Sequence, residues 1–135
     1  MAQTEQKNQN VKKQFEELQS LLERAMALQT SMVLFEWDDE TLAPKGAVEH
    51  TARVIGSLSE QYQEILASMR FKELLDVCQK AEKENAGVFD EVQSAILREA
   101  AEEQERLSCI PPEEYRAYAE LTARATGIWT RAREK

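Results

Sequence analysis

Residues 35–50, FEWDDETLAPKGAVEH, gather most of the side chains in this chain that could do chemistry. Asp38, Asp39, Glu40 and Glu49 supply carboxylates, and His50 is the only imidazole. Carboxylates with a His can ligate manganese, iron or zinc, or exchange protons at a reacting centre. The spacing argues against such a site. Glu49 and His50 are neighbours on what reads as a helix, so they point about 100° apart. Asp38 to Glu40 read as a loop before a helix, where acids are common N-terminal caps. The favoured reading is therefore a corner between two helices with capping acids and a solvent-facing His, because so short a match is weak evidence for a site. Trp37 could stack on a ligand, but a Trp at a helix end reads more simply as a buried anchor with its N–H satisfied. Trp129, on an apolar helical stripe, reads the same way.

The remaining catalytic patterns are missing. A His-Glu-x-x-His zinc motif needs two His, and the chain has one. No Gly-rich phosphate loop and no Gly-x-Ser-x-Gly occurs, and a Ser or Cys nucleophile would have only His50 as base. Cys78 and Cys109 lack a Cys-x-x-Cys or His neighbour, so they read as reduced thiols rather than zinc ligands or a disulfide.

The elements that would position these residues are helices. Ala, Glu, Gln, Leu, Lys and Arg dominate, with four Gly and three Pro, and these are strong helix formers. β-branched residues never alternate, so strands have almost no support. The first ten residues, MAQTEQKNQN, are polar and expected to fray. Val11, Phe15, Leu18, Leu22, Ala25 and Met26 then recur at three- and four-residue spacing and Leu28, Met32 and Phe35 continue the stripe, which predicts a helix over 9–36. Val48, Ala52, Ile55, Leu58, Tyr62, Ile65 and Met69 predict a second. Phe71, Leu74, Leu75 and Cys78 predict a third, with Gly87 as its stop. A fourth begins near Asp90 and carries Val92, Ala95, Ile96, Ala100 and Leu107, its last turns exposed or meeting a polar partner. Pro112 can open a fifth in its first turn, with Glu113 and Glu114 at the positive end of the dipole. Tyr115, Tyr118, Thr122, Ala125, Trp129 and Ala132 continue it.

Leu, Ile, Val and Phe number 29 of 135 residues, about a fifth, so the core is lean for a chain this charged. A net charge of −8 repels phosphate backbones and argues against nucleic-acid binding. No apolar run reaches membrane-span length and no signal-peptide pattern occurs, which predicts a cytoplasmic chain.

FEWDDETLAPKGAVE resembles the N-terminal signature of Taq-type metallocarboxypeptidases, roughly Trp-Asp-x-x-Thr-x-x-Pro-x-Gly-Ala. The matching residues are Trp37, Asp38, Thr41, Pro44, Gly46 and Ala47. LLDVCQKAEK, AILREAAEEQERLSCIPPEEY and ELTARATGIWTRARE resemble the helices that follow, with Leu97, Arg98, Pro112, Trp129, Ala132 and Arg133 as matches. A basic residue is expected near Thr51, and the nearest is Arg53. The resemblance covers about residues 15–135.

That resemblance implies an all-α fold: about five helices in antiparallel hairpins, with residues 11–135 a helical N-terminal subregion that walls and roofs the substrate cleft of a larger peptidase. It implies a zinc- or cobalt-dependent carboxypeptidase, typically a homodimer, whose zinc motif and third metal ligand lie beyond this chain. No cofactor and no catalytic or metal-binding residue is then expected here. The structural residues would be Trp37, Asp38, Thr41, Pro44, Gly46, Trp129 and Arg133. The last helix is still running at Lys135, which suggests a truncated chain. A free-standing helical interaction module is the alternative. Self-association through the fourth and fifth helices is expected, because the stripe Tyr118, Leu121, Ala125, Ile128 and Trp129 is wider than one neighbouring helix covers.

Overall fold

Gln, Lys, Glu and Ala fill the polar N-terminus without a Gly or Pro, and nothing there opposes a helix. In a computed structural model, which describes residues 1–134, α1 accordingly spans Ala2–Thr41. It starts well before Val11, so the residues expected to fray are its first turns. It also ends later than residue 36, because no breaker occurs until Pro44 disfavours helical backbone in the residue before it. A 3₁₀ turn, Lys45–Ala47, leads into α2, Val48–Leu66. Then come α3, Met69–Glu84, α4, Glu91–Ser108, and α5, Pro112–Arg133. The all-α expectation holds, with five α-helices and no strand among the described residues.

Local signals set the boundaries. Ser68 caps α3 by accepting from the Phe71 N–H at 3.2 Å, so Met69 opens this helix rather than closing the second. Asp90 and Gln93 form a reciprocal capping box on α4, and Pro112 occupies the first turn of α5. Gly87 is not the stop of α3. Asn85, in extended backbone, ends that helix, its side chain accepts from the Gly87 N–H, and no glycine has positive φ.

The chain divides into two compact units, Met1–Arg24 with Ile65–Cys109, and Ala25–Glu64 with Ile110–Lys135. The first unit is built on apolar burial. Val11, Phe15 and Leu18 of α1, Phe71, Leu74, Leu75 and Cys78 of α3, and Leu97, Ala100 and Leu107 of α4 are all buried. Phe15 and Phe89 pack with ring centroids 5.1 Å apart, within the range of attractive aromatic pairs. Leu107 anchors the last turn of α4, which was expected to be exposed, whereas Val92 is exposed. Burial raises the Cys78 thiol to about 11, so this cysteine is an inert core residue. Cys109 is exposed and also unbridged.

The second unit contains the late part of α1, nearly all of α2, and α5. Apart from Ile55, its buried residues are small or polar: Ala25, Thr51, Ala52, Ser59 and Gln63, with Gly56 and Gly127.

Candidate functional site

The acid-rich corner is mostly helix. Trp37 to Thr41 form the last turn of α1, with the Thr41 hydroxyl donating to the Trp37 carbonyl at 2.6 Å. Leu42 and Ala43 N–H groups both donate to the Asp38 carbonyl at 2.9 Å. The loop reading of Asp38 to Glu40 is thereby corrected. These acids do not cap α2 but crowd the carbonyl end of α1, where the helix dipole disfavours negative charge. Among the described residues, Glu36, Asp38, Asp39 and Glu40 take part in no ion pair.

The buried-anchor reading of both tryptophans is also corrected: Trp37 is 58% exposed and Trp129 69%. Each sits on a helical position whose face this chain leaves open, and periodicity alone does not show whether a face is covered. Asp38, Thr41, Pro44, Gly46 and Arg133 are exposed as well. A Cβ on Gly46 would meet nothing within 4 Å, so no close approach calls for glycine there.

What organises this unit is a charged and close-packed seam between α2 and α5. Arg124 makes a bidentate pair with Glu49 at 2.9 and 2.7 Å, and reaches Glu120 at 3.1 Å. Arg116 bridges Glu120 at 3.1 Å and Glu60 at 2.9 Å. Gln63 donates to the Ile110 carbonyl at 2.6 Å. As numbers rise along α2, those of their partners fall along α5, so the two helices run antiparallel. Two glycines let the helices approach. A Cβ on Gly127 would lie 2.6 Å from Cγ1 of Val48, and one on Gly56 would collide with the Glu120 side chain. Arg124 holds the Glu49 carboxyl below its ordinary range, outweighing some desolvation. Glu120 and Glu60 raise Arg116, and Glu49 raises Arg124. The basic partner expected near Thr51 is thus supplied from α5 to Glu49, while Thr51 itself is buried. Arg116, Glu120 and Arg124 stand at four-residue spacing, a legible helix-face signal. Their α2 partners carry no such sequence mark.

His50 is exposed. Among the described residues no group of three or more His, Cys, Asp and Glu side chains is placed to hold a metal ion. The donors present do not fit a catalytic zinc centre, which normally takes three protein ligands.

The family description that matches this chain is carboxypeptidase Taq (M32) metallopeptidase, over residues 17–135. The chain belongs to that family. It is 34% identical over 115 residues to carboxypeptidase 1 of Bacillus subtilis (strain 168), a match covering 85% of this chain and 22% of that protein. The M32 chain therefore spans about a fifth of the length of the curated relative it matches. No solved structure matches it. No helix among the described residues is long and apolar enough to cross a membrane.

Proposed function

We propose that this chain is a non-catalytic helical portion of an M32 carboxypeptidase, an enzyme that removes C-terminal amino acids from peptides with a bound zinc or cobalt ion. Its role there is to wall and roof the peptide cleft. The observation that carries the reading is the family match over residues 17–135 in a chain with a single His, one short of the pair that His-Glu-x-x-His requires. The exposed apolar residues of the second unit support a role beside further protein: Phe35, Trp37, Leu121, Ile128 and Trp129 face outward. Exposed large apolar residues in this number are what a face covered by further protein would carry.

Two assays test this. Incubated with zinc or cobalt and a blocked dipeptide or longer peptide, the chain alone should release no C-terminal amino acid, and metal-dependent release would overturn the proposal. In a second assay, this chain replaces the matched segment of carboxypeptidase 1. The chimera should keep its zinc content and change chiefly in KM for peptides. A chimera that lost zinc while remaining folded would place the segment in the metal site instead.

A further inference from the structure

The second unit is three-quarters of a bundle. Ser59 of α2 donates to the sulfur of Met32 at 3.0 Å, and only a short corner joins the two helices, so α1 and α2 form an antiparallel hairpin. α5 also runs antiparallel to α2, which makes α1 and α5 parallel to each other. Between them lies an open groove of about 490 Å³. One wall is a single face of α1 from Gln29 to Glu40, and the other a single face of α5 from Tyr115 to Thr126, over a floor of Ile55 and Ser59. Each wall runs twelve residues, about 16 Å end to end or three helical turns. A trough of that length between two parallel helices, floored by a third, has the shape that a fourth helix fills in an antiparallel bundle.

The charge in the groove is one-sided. Glu36, Asp39 and Glu40 line its α1 wall at the end where that helix closes, and the α5 wall presents only Tyr, Ala and Thr. The same end receives the negative dipole ends of both α1 and α5, since Asp39 and Glu40 share a neighbouring hollow with Gly127, Thr130 and Glu134. The two cations of that hollow are engaged elsewhere, Lys45 with Glu134 at 2.9 Å and Arg131 with the Gly127 carbonyl at 3.3 Å. We infer that this groove docks a partner helix that is amphipathic and basic at one end, lying antiparallel to α1 and α5. Its positive N-terminal dipole and its Lys or Arg residues meet Glu36, Asp39 and Glu40, and its apolar stripe covers Met32, Val33 and Ile55. A second copy of this chain fits less well, because each copy brings a net charge of −8 to the same acidic end. The inference concerns the groove alone and does not rest on the chain's place in a peptidase.

Three synthetic helical peptides of about 18 residues make the test, each with Leu at three- and four-residue spacing. The first carries Lys in its first turn, the second carries Glu there, and the third carries Lys in its last turn. Backbone amide shifts of the whole chain are followed during titration. The first peptide should bind at least tenfold more tightly than the second or third and shift the groove residues Met32, Val33, Ile55, Ala119 and Thr122. The E36Q/D39N/E40Q variant, checked for fold by circular dichroism, should weaken it about tenfold, or 1.4 kcal/mol, and flatten its salt dependence. Tyr118→Ser, at an exposed groove position, should weaken the first peptide without altering the salt slope. Equal affinity for all three peptides, or shifts mapping outside the groove, would overturn the inference. So would a dimeric mass by light scattering with the groove residues protected, which would show a second copy in the trough.

Discussion

The two units of this chain treat the same residue types in opposite ways. The unit of Met1–Arg24 and Ile65–Cys109 buries most of its large apolar residues, leaving Leu21, Leu22, Ile65 and Ile96 half-buried and Met1, Met69, Val77 and Val92 outside. In the other unit the only apolar core residues among those described are Ala25, Ala52 and Ile55, while Met26, Val33, Leu34, Phe35, Trp37, Leu42, Tyr118, Leu121, Ile128 and Trp129 are exposed. Its interior holds Thr51, Ser59 and Gln63 instead. One unit is held by apolar burial. The other is held by a glycine-lined helix contact and a run of ion pairs, and it keeps its apolar surface outward. Exposed pairs contribute little each, so the second unit is expected to be the weaker of the two.

The largest expected effect belongs to the apolar unit. Phe71 is fully buried, and Phe71→Ala should cost about 3–5 kcal/mol in urea unfolding. Trp37→Ala, although it removes a larger ring, should cost less than about 1 kcal/mol, as exposed substitutions do. If the two losses were equal, Trp37 would be covered in solution and the contrast between the units would fail.

Next in size is the glycine seam. Gly127→Ala would ordinarily gain about 1 kcal/mol in helix propensity. Here the new methyl meets Cγ1 of Val48, a β-branched side chain with little rotamer freedom. Overpacking typically costs about 1–3 kcal/mol, so the variant should be destabilised. Gly46→Ala, with open space around it, should be neutral or slightly stabilising. Thermal unfolding of the pair decides this, and a stabilised Gly127 variant would show that the seam is looser than drawn.

How much of this was readable beforehand follows the same division. Val11, Phe15, Leu18, Phe71, Leu74 and Cys78 recur at helical spacing and are buried. Asp90 and Pro112 mark helix starts that the structure reproduces. Phe35 and Trp129 recur just as regularly and are exposed, because periodicity identifies a face and says nothing of what lies against it. The polar N-terminus and Asp38–Thr41 are helical because a polar segment free of Gly and Pro keeps its helix propensity, so polarity alone does not mark a frayed end or a loop. The α2–α5 seam was invisible for another reason. Gly56 and Gly127 acquire meaning only when Glu120 and Val48 are brought opposite them by tertiary contacts.

Acid should separate the units further. Arg124 lowers the pKa of Glu49 and Lys45 that of Glu134 in the second unit, while Arg70 lowers Glu17 and Lys7 lowers Glu84 in the first. A carboxyl held below its ordinary 4.5 favours the folded state only while ionised. Its contribution is complete above that value and fades as pH falls through the lowered one. Both units lose these pairs together, but only the first keeps an apolar core when they are gone. Trp37, Trp129 and every Tyr lie in the second unit, so intrinsic fluorescence follows that unit alone, and hydrogen exchange follows both. Between pH 4.5 and 3 the fluorescence should change before protection is lost across α3 and α4. Coincident transitions would show that the two units unfold as one.

The smallest effect carries the opposite sign. Glu36, Asp38, Asp39 and Glu40 at the carbonyl end of α1 oppose its dipole, and among the described residues none of the four is in an ion pair. Neutralising charge at an exposed helix end is worth about 0.3–1 kcal/mol at low ionic strength. E36Q/D39N/E40Q should therefore raise the stability of the second unit in low salt, with the gain shrinking by 0.5 M salt as screening sets in. The matched change E82Q/E84Q on α3 also relieves acids near a helix end, but it breaks the Lys7–Glu84 pair at 2.8 Å and should give no gain. A stabilised free protein that has lost its partner helix is what a charge retained for binding looks like. If the triple variant were instead destabilised, those acids would be holding the fold of the free chain together, and the division between a self-sufficient unit and a partner-seeking one would have to be redrawn.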